Sequence, residues 1–148
     1  LMQDPDAYRK ACDDLYERYK NMNIDKIVGI DARGFVFGAV LAYKLGIGFV
    51  PVRKKGKLPW NTIQESYSLE YGEDTLEMHE DAVQPGEKVV IVDDLIATGG
   101  TIGATVKLVN KLGAEIIECA FVVELPDLKG REQIDGCPIF ALTEFEGE

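Results

Sequence analysis

The stretch Lys88–Thr105, KVVIVDDLIATGGTIGAT, sets the terms for the rest of the chain. Four apolar residues in succession, Val89, Val90, Ile91 and Val92, follow the turn signal Pro85-Gly86. A short β-branched run of this kind offers no polar face to water, so it predicts a strand buried on both sides within a parallel sheet. Two adjacent carboxylates come next, Asp93 and Asp94, then Leu95-Ile96 and the small, hydroxyl-rich run Ala97-Thr98-Gly99-Gly100-Thr101. Beyond it Ile102, Val106, Val109 and Leu112 recur at helical spacing up to Gly113, which predicts a helix.

Strand, acidic pair, glycine turn and helix form one chemical unit. Glycines let backbone N–H groups close on an anion with no Cβ in the way. The N-terminus of the following helix adds unpaired donors and a partial positive charge. Thr98 and Thr101 add hydroxyls, and together these groups suit one phosphate without a lysine. Asp93 and Asp94, at the carboxyl end of the strand, can accept hydrogen bonds from vicinal sugar hydroxyls. A phosphate cradle beside a diol acceptor implies a phosphorylated sugar. Packing alone explains an ordinary strand-to-helix turn, but not two strand-end carboxylates beside T-G-G-T.

The segment VVIVDDLIATGGT, residues 89–101, resembles the 5-phosphoribosyl-1-pyrophosphate (PRPP) motif of the type I phosphoribosyltransferases. The resemblance covers nearly the whole chain, and further segments narrow it to the adenine phosphoribosyltransferases. These are the turn Asp31-Ala32-Arg33-Gly34, the run Arg53-Lys54-Lys55-Gly56-Lys57-Leu58-Pro59 and the phrase Ser66-Tyr67-Ser68-Leu69-Glu70-Tyr71-Gly72.

At 148 residues, with 46% hydrophobic and 28% charged residues, the chain predicts a single domain over 1–148 with a full core. No apolar run approaches the roughly 20 residues that cross a bilayer, and no leader pattern opens the chain, so a cytoplasmic protein is expected. Cys12, Cys119 and Cys137 are odd in number and lack metal spacing, so they are expected as reduced thiols. The single His79, set among acidic residues, reads as a surface group. The net charge of −10 argues against nucleic acid. It also requires that any polyanion be met locally, by Arg53, Lys54, Lys55 and Lys57 with Arg33. Taken alone, that basic run is either a nucleic-acid patch or a solvated loop.

The remaining segments alternate between strand and helix. Residues 4–22 predict a helix capped by Asp4, with Pro5 in first position and Tyr8, Ala11, Leu15, Tyr19 and Met22 on one face. A strand at 26–30 feeds a tight turn and a helix at 35–45 closed by Gly46, and a third strand spans 47–52. Residues 60–78 break the alternation, with extended pieces at 66–71 and 75–78 around Gly72. They predict a flap that projects from the sheet, within a flexible stretch of about 54–78. A buried strand at 114–125, a short helical stretch at 128–134 and a final strand at 138–145 read as scaffold. The whole predicts an α/β fold: a mostly parallel, twisted sheet flanked by helices, with right-handed crossovers and ligands at its carboxyl edge.

The resemblance implies transfer of the 5-phosphoribosyl group from PRPP to adenine, giving AMP and pyrophosphate, a purine-salvage reaction. It implies that Asp93 and Asp94 hold the ribose, and that Ala97, Thr98, Gly99, Gly100 and Thr101 hold its 5′-phosphate. Arg33, Arg53 and Lys57 would face the pyrophosphate, with Lys54 and Lys55 as supporting charge. Glu70 matches the family's acid/base position, and Tyr71 would cover the reacting sugar. On residues alone, Glu70-Tyr71 reads as a plain hairpin end. Mg²⁺ is implied on the pyrophosphate and sugar hydroxyls, keeping several waters, with Asp93 and Asp94 the protein groups that can reach it. A non-proline cis peptide at Asp31–Ala32 and a homodimer are also implied. The chain begins at Leu1, where the family adds an N-terminal segment of roughly a tenth to a fifth of the chain that covers the purine. The expectation is therefore a chain that binds PRPP or AMP phosphate better than it discriminates bases. Two rivals stand beside this reading. One is a phosphoribosyltransferase for another base, such as xanthine or orotate, which the flap phrase and basic run oppose. The other is a non-catalytic PRPP-sensing regulator, for whose usual DNA-binding module the chain has neither room nor charge.

Overall fold

The structure is a computed structural model that describes residues 2–69, 71–134 and 136–145. Helix α1 (Pro5–Tyr19) starts where the capping chemistry dictates. The Asp4 carboxylate accepts from the Asp6 and Ala7 amides at 3.0 and 3.3 Å, and Pro5 needs no partner at the first position. Ala11, Cys12, Leu15 and Tyr19 form its buried face. Met22, expected on that face, lies beyond the helix and is exposed, because the chain turns after Tyr19.

Strand β1 (Lys26–Ile30) leads through the cis peptide Asp31–Ala32 into α2 (Arg33–Leu45), which ends at the left-handed Gly46. The order continues β2 (Gly48–Lys54), β3 (Thr62–Leu69), β4 (Gly72–His79), β5 (Lys88–Ile96), α3 (Gly100–Lys111), β6 (Glu115–Glu124) and β7 (Ile139–Glu144). The sheet order is β3-β4-β2-β1-β5-β6-β7. From β2 to β7 every neighbouring pair is parallel, while β4 runs antiparallel to β2 and β3 to β4. The mostly parallel α/β expectation therefore holds.

The apolar run on β5 serves two cores at once. Val89 and Ile91 pack with Val28, Val52 and the α3 residues Ile102, Val106 and Val109. Val90 and Val92 pack on the opposite face with Leu15 and Tyr19 of α1 and Phe37 and Leu41 of α2. Period-2 alternation sends successive side chains to opposite faces, so a strand covered by helices on both sides must be apolar throughout. Each such side chain contributes roughly 1.5–3 kcal/mol of burial.

Two details depart from the sequence reading. The flap is a longer hairpin than the extended pieces suggested, and it joins the sheet edge instead of projecting free of it. Leu76 and Met78 alternate inward from β4 into the α3-side core, and that burial holds the hairpin down. Lys111 of α3 also reaches the Gln64 carbonyl at 3.0 Å and the Glu65 carboxylate at 2.9 Å. The stretch at 128–134 is not one helix but part of two 3₁₀ turns, Pro126–Leu128 and Gly130–Gln133, hinged at Lys129 with φ 58°. The three cysteines are free thiols, and the fold brings the Cys119 and Cys137 sulfurs to 3.2 Å. His79 ends β4 half-buried, more enclosed than a surface group. No helix among the described residues is long and apolar enough to cross a membrane.

Candidate functional site

The chain leaves β1 and β5 in opposite directions along the sheet, β1 toward β2 and β5 toward β6. Parting connections leave a crevice at the carboxyl ends of these neighbours, the usual ligand position of open α/β sheets. There the molecule has a cavity of about 420 Å³. Asp31, Ala32 and Arg33 line it from the turn after β1, and Asp93 and Asp94 from β5. Ala97 through Thr101 line it from the turn into α3, Lys54 from β2 and Tyr67 through Leu69 from β3.

Gly99 makes the anion cradle possible. It caps α3 with φ 90°, a left-handed conformation open to glycine at no steric cost, and no side chain caps the helix. The first amides of α3 thus lack side-chain partners and sit at the positive end of the helix dipole. The cradle is braced from behind by the segment that sequence reading treated as scaffold. A Cβ built on Gly130 would lie 2.4 Å from the Ala97 carbonyl oxygen, so only glycine lets this backbone close on the cradle. Leu125 donates to the Ile96 carbonyl at 2.9 Å, and Arg131 grips the buried Glu124 carboxylate with two hydrogen bonds of 2.7 and 2.8 Å.

The acidic pair is internally organised. Asp93 Oδ1 accepts from the Asp94 amide at 2.8 Å. Burial is the main force that pushes the Asp93 carboxyl up to about 8, with the Asp94 charge adding to it against the pull of the Asp94 amide and Arg33. Asp94 pairs with the Arg33 guanidinium at 2.9 Å, Arg53 with Asp31 at 3.0 Å, and Lys54 with Asp74. Partly exposed pairs of this kind are worth about 0–1 kcal/mol each, so an entering polyanion can draw the cations away cheaply. No three His, Cys, Asp or Glu side chains gather into a metal cage among the described residues. Two adjacent carboxylates at a cavity rim fit a hard divalent cation that keeps most of its waters.

The structure brings together Arg33, Asp93, Asp94 and Ala97–Thr101 as expected, and separates others. Arg53 stands one residue removed from the cavity, behind Asp31. Lys57 is exposed in the turn after β2 and does not line the cavity, whereas Lys54, read as supporting charge, does. Alternation could have found this, since Val50, Val52 and Lys54 share one face of β2. Tyr71 is 93% exposed and does not line the cavity, while Tyr67 forms part of the wall. Glu70 lies outside the described residues.

Residues 3–144 match the family model described as the phosphoribosyl transferase domain. An adenine phosphoribosyltransferase of Desulfosudis oleivorans is 66% identical over 148 residues, all of this chain and 86% of that protein. The chain belongs to the phosphoribosyltransferase family, among the adenine phosphoribosyltransferases. The crystal structure of the Thermoanaerobacter pseudethanolicus adenine phosphoribosyltransferase superposes with a TM-score of 0.93 at 50% identity, covering 97% of this chain and 84% of that one. The Saccharomyces cerevisiae enzyme, solved with adenine and D-2,5-dideoxy-2,5-imino-altritol 1,6-bisphosphate, gives 0.89 at 44%, covering 96% and 82%. The cradle and acidic pair lie where β5 meets α3.

Proposed function

We propose that this chain transfers the 5-phosphoribosyl group of PRPP to adenine, yielding AMP and pyrophosphate in purine salvage. One observation carries the reading: a single crevice holds the amide cradle of Ala97–Thr101 directly beside the acidic pair Asp93-Asp94. The adenine phosphoribosyltransferases most like this chain support the choice of base. The cradle takes the 5′-phosphate, and Asp93 and Asp94 take the ribose hydroxyls. Arg33 and Lys54 receive the pyrophosphate as they leave their carboxylate partners, with Arg53 and Lys57 adding to the local positive field. Beyond the Arg33–Asp94 pair lies a second, largely apolar cavity of about 270 Å³ lined by Phe37, Leu95, Val122 and Val123. A flat neutral ring fits such a surface, so the base is assigned there.

In the reaction the bond from the anomeric carbon to pyrophosphate breaks and the bond to the purine N9 forms. Positive charge grows on the sugar, and the purine must lose a proton. We assign that proton to Glu70 of the flap and the covering of the sugar to Tyr71. Mg²⁺ would be held by PRPP with Asp93 and Asp94, and it would offset the charge of the departing pyrophosphate. The protein's contribution is position and electrostatics. A cytoplasmic homodimer completes the reading.

The test is to incubate the purified chain with PRPP, Mg²⁺ and one base at a time: adenine, guanine, hypoxanthine, xanthine or orotate. The expected outcome is AMP and pyrophosphate in equal amounts from adenine, formed faster than product from any other base. Preference for a different base, or PRPP binding without turnover of any base, would overturn it.

A further inference from the structure

Gly100 is glycine for a reason other than its backbone. Unlike Gly99 it has no left-handed φ. A Cβ built on it would lie 2.9 Å from Tyr67 Cδ2, 3.5 Å from Cε2 and 3.8 Å from Cγ, and these are its three nearest atoms. The space a side chain would need at the first residue of α3 is taken by one aromatic ring from β3. That ring is held at its other end as well. The Tyr67 hydroxyl lies 3.4 Å from Asp74 Oδ2 on β4, and the same carboxylate oxygen pairs with Lys54 of β2. Tyr67 therefore spans from the flap to the helix that bears the cradle, with its tip tied to the sheet edge. It also stands between two spaces, the 420 Å³ crevice and an outer cavity of about 360 Å³ on the far side of Thr98 and Gly100.

We propose that Tyr67 is a positioning residue that seats the β3–β4 flap on the start of α3 and closes the 5′-phosphate end of the crevice, and that Gly100 is its socket. The proposal rests on the reading of Ala97–Thr101 as the phosphate cradle. It assigns the flap's anchoring to the phosphate end of the substrate. The ring does the seating, and the hydroxyl only orients it.

Steady-state kinetics on a double-mutant cycle of Y67A and G100A, with Y67F as the conservative control, tests the contact. Losing a packed aromatic contact should raise KM for PRPP about tenfold in Y67A, with KM for adenine unchanged. Y67F, which keeps the ring, should stay within about threefold of the parent. G100A approaches the same contact from α3, and its effect should largely vanish in the Y67A background, as coupled neighbours require. Additive effects of Y67A and G100A, or a Y67F as impaired as Y67A, would overturn the proposal. Amide hydrogen exchange of β3 and β4 reads the seat without turnover. Faster exchange there in Y67A and G100A but not in Y67F supports the proposal, and unchanged exchange sinks it. Absence of AMP formation by the parent chain would instead count against the proposed reaction, so the two failures are distinct.

Discussion

The two halves of the sheet are built on different terms. In the parallel half, β1 and β5 are flanked by partners on both edges and covered by helices on both faces, and Val89 through Val92 have no exposed surface. In the antiparallel half, β3 has no fully buried residue, and the hairpin meets the rest of the sheet through just two register pairs, Arg53↔Glu77 and Lys54↔Leu76. Burial over-determines the first half and barely determines the second. Groups that must stay fixed, the cradle and the acidic pair, lie on the first. The proposed cover lies on the second, whose outer strand β3 carries no fully buried residue.

The sharpest way to break this contrast is to unsettle the fixed half. G130A would drive a methyl into the Ala97 carbonyl, a backbone group with nowhere to go. A displacement of this kind at the cradle should cost about a hundredfold in PRPP affinity. Strain should take about 1–3 kcal/mol of stability, and titration calorimetry with thermal melts would check both. R33A comes next. It removes the guanidinium that lines the crevice beside Asp94 and is proposed to receive the leaving pyrophosphate, so kcat for AMP formation should fall about a hundredfold. AMP, which carries no pyrophosphate, should bind nearly as before.

Comparing cations at the seam sharpens the contrast further. K54A should raise KM for PRPP about tenfold, because Lys54 lines the crevice and its pairing with Asp74 also steadies the flap. K57A, from an exposed turn, should change it by less than about threefold, with the effect vanishing at high salt.

How far the sequence carried is visible in these same residues. The PRPP motif is contiguous, so strand, carboxylates, glycines and helix announce themselves within one stretch. The parallel half was readable because burial on both faces demands unbroken β-branched runs. Tyr67 and Gly130 are not readable as site residues, since each acts across the fold on a partner far away in sequence, whereas alternation along β2 does mark Lys54. Tyr67 and Tyr71 are equally plausible on paper, and only the pairing of β3 with β4 and its packing on α3 decides which ring faces the crevice. The flap's attachment is obscured because its anchors are split between the strands, Leu76 and Met78 on β4 with Ile63 and Tyr67 on β3, too few on either for a strong pattern. The helical stretch expected at 128–134 failed because close packing on Ala97 demanded a tighter turn than propensity indicates.

The smallest effect lies in the fixed half, away from the crevice. Arg18 donates to both oxygens of Glu118 at 2.7 and 2.8 Å, and Tyr19 donates at 2.6 Å, tying α1 to β6. Burial alone would raise the Glu118 carboxyl, but these donors outweigh it and hold it below the ordinary carboxylate range. A depressed folded value means the stabilisation is present above the ordinary carboxylate pKa and is lost as pH falls through the folded one. E118Q should therefore cost about 1 kcal/mol near neutrality, and the difference should shrink below about pH 4. Urea titrations at several pH values would show whether the gap closes in that direction.

On the proposed function, a fixed parallel half binds the phosphoribosyl donor while an edge-attached flap covers it. Amide hydrogen exchange with and without PRPP and Mg²⁺ tests it most directly. Strong protection of β1, β5 and β6 is expected in both states, with fast exchange in β3 and β4 that slows when PRPP binds. A hairpin already as protected as β5 in the free protein, or one indifferent to PRPP, would contradict it.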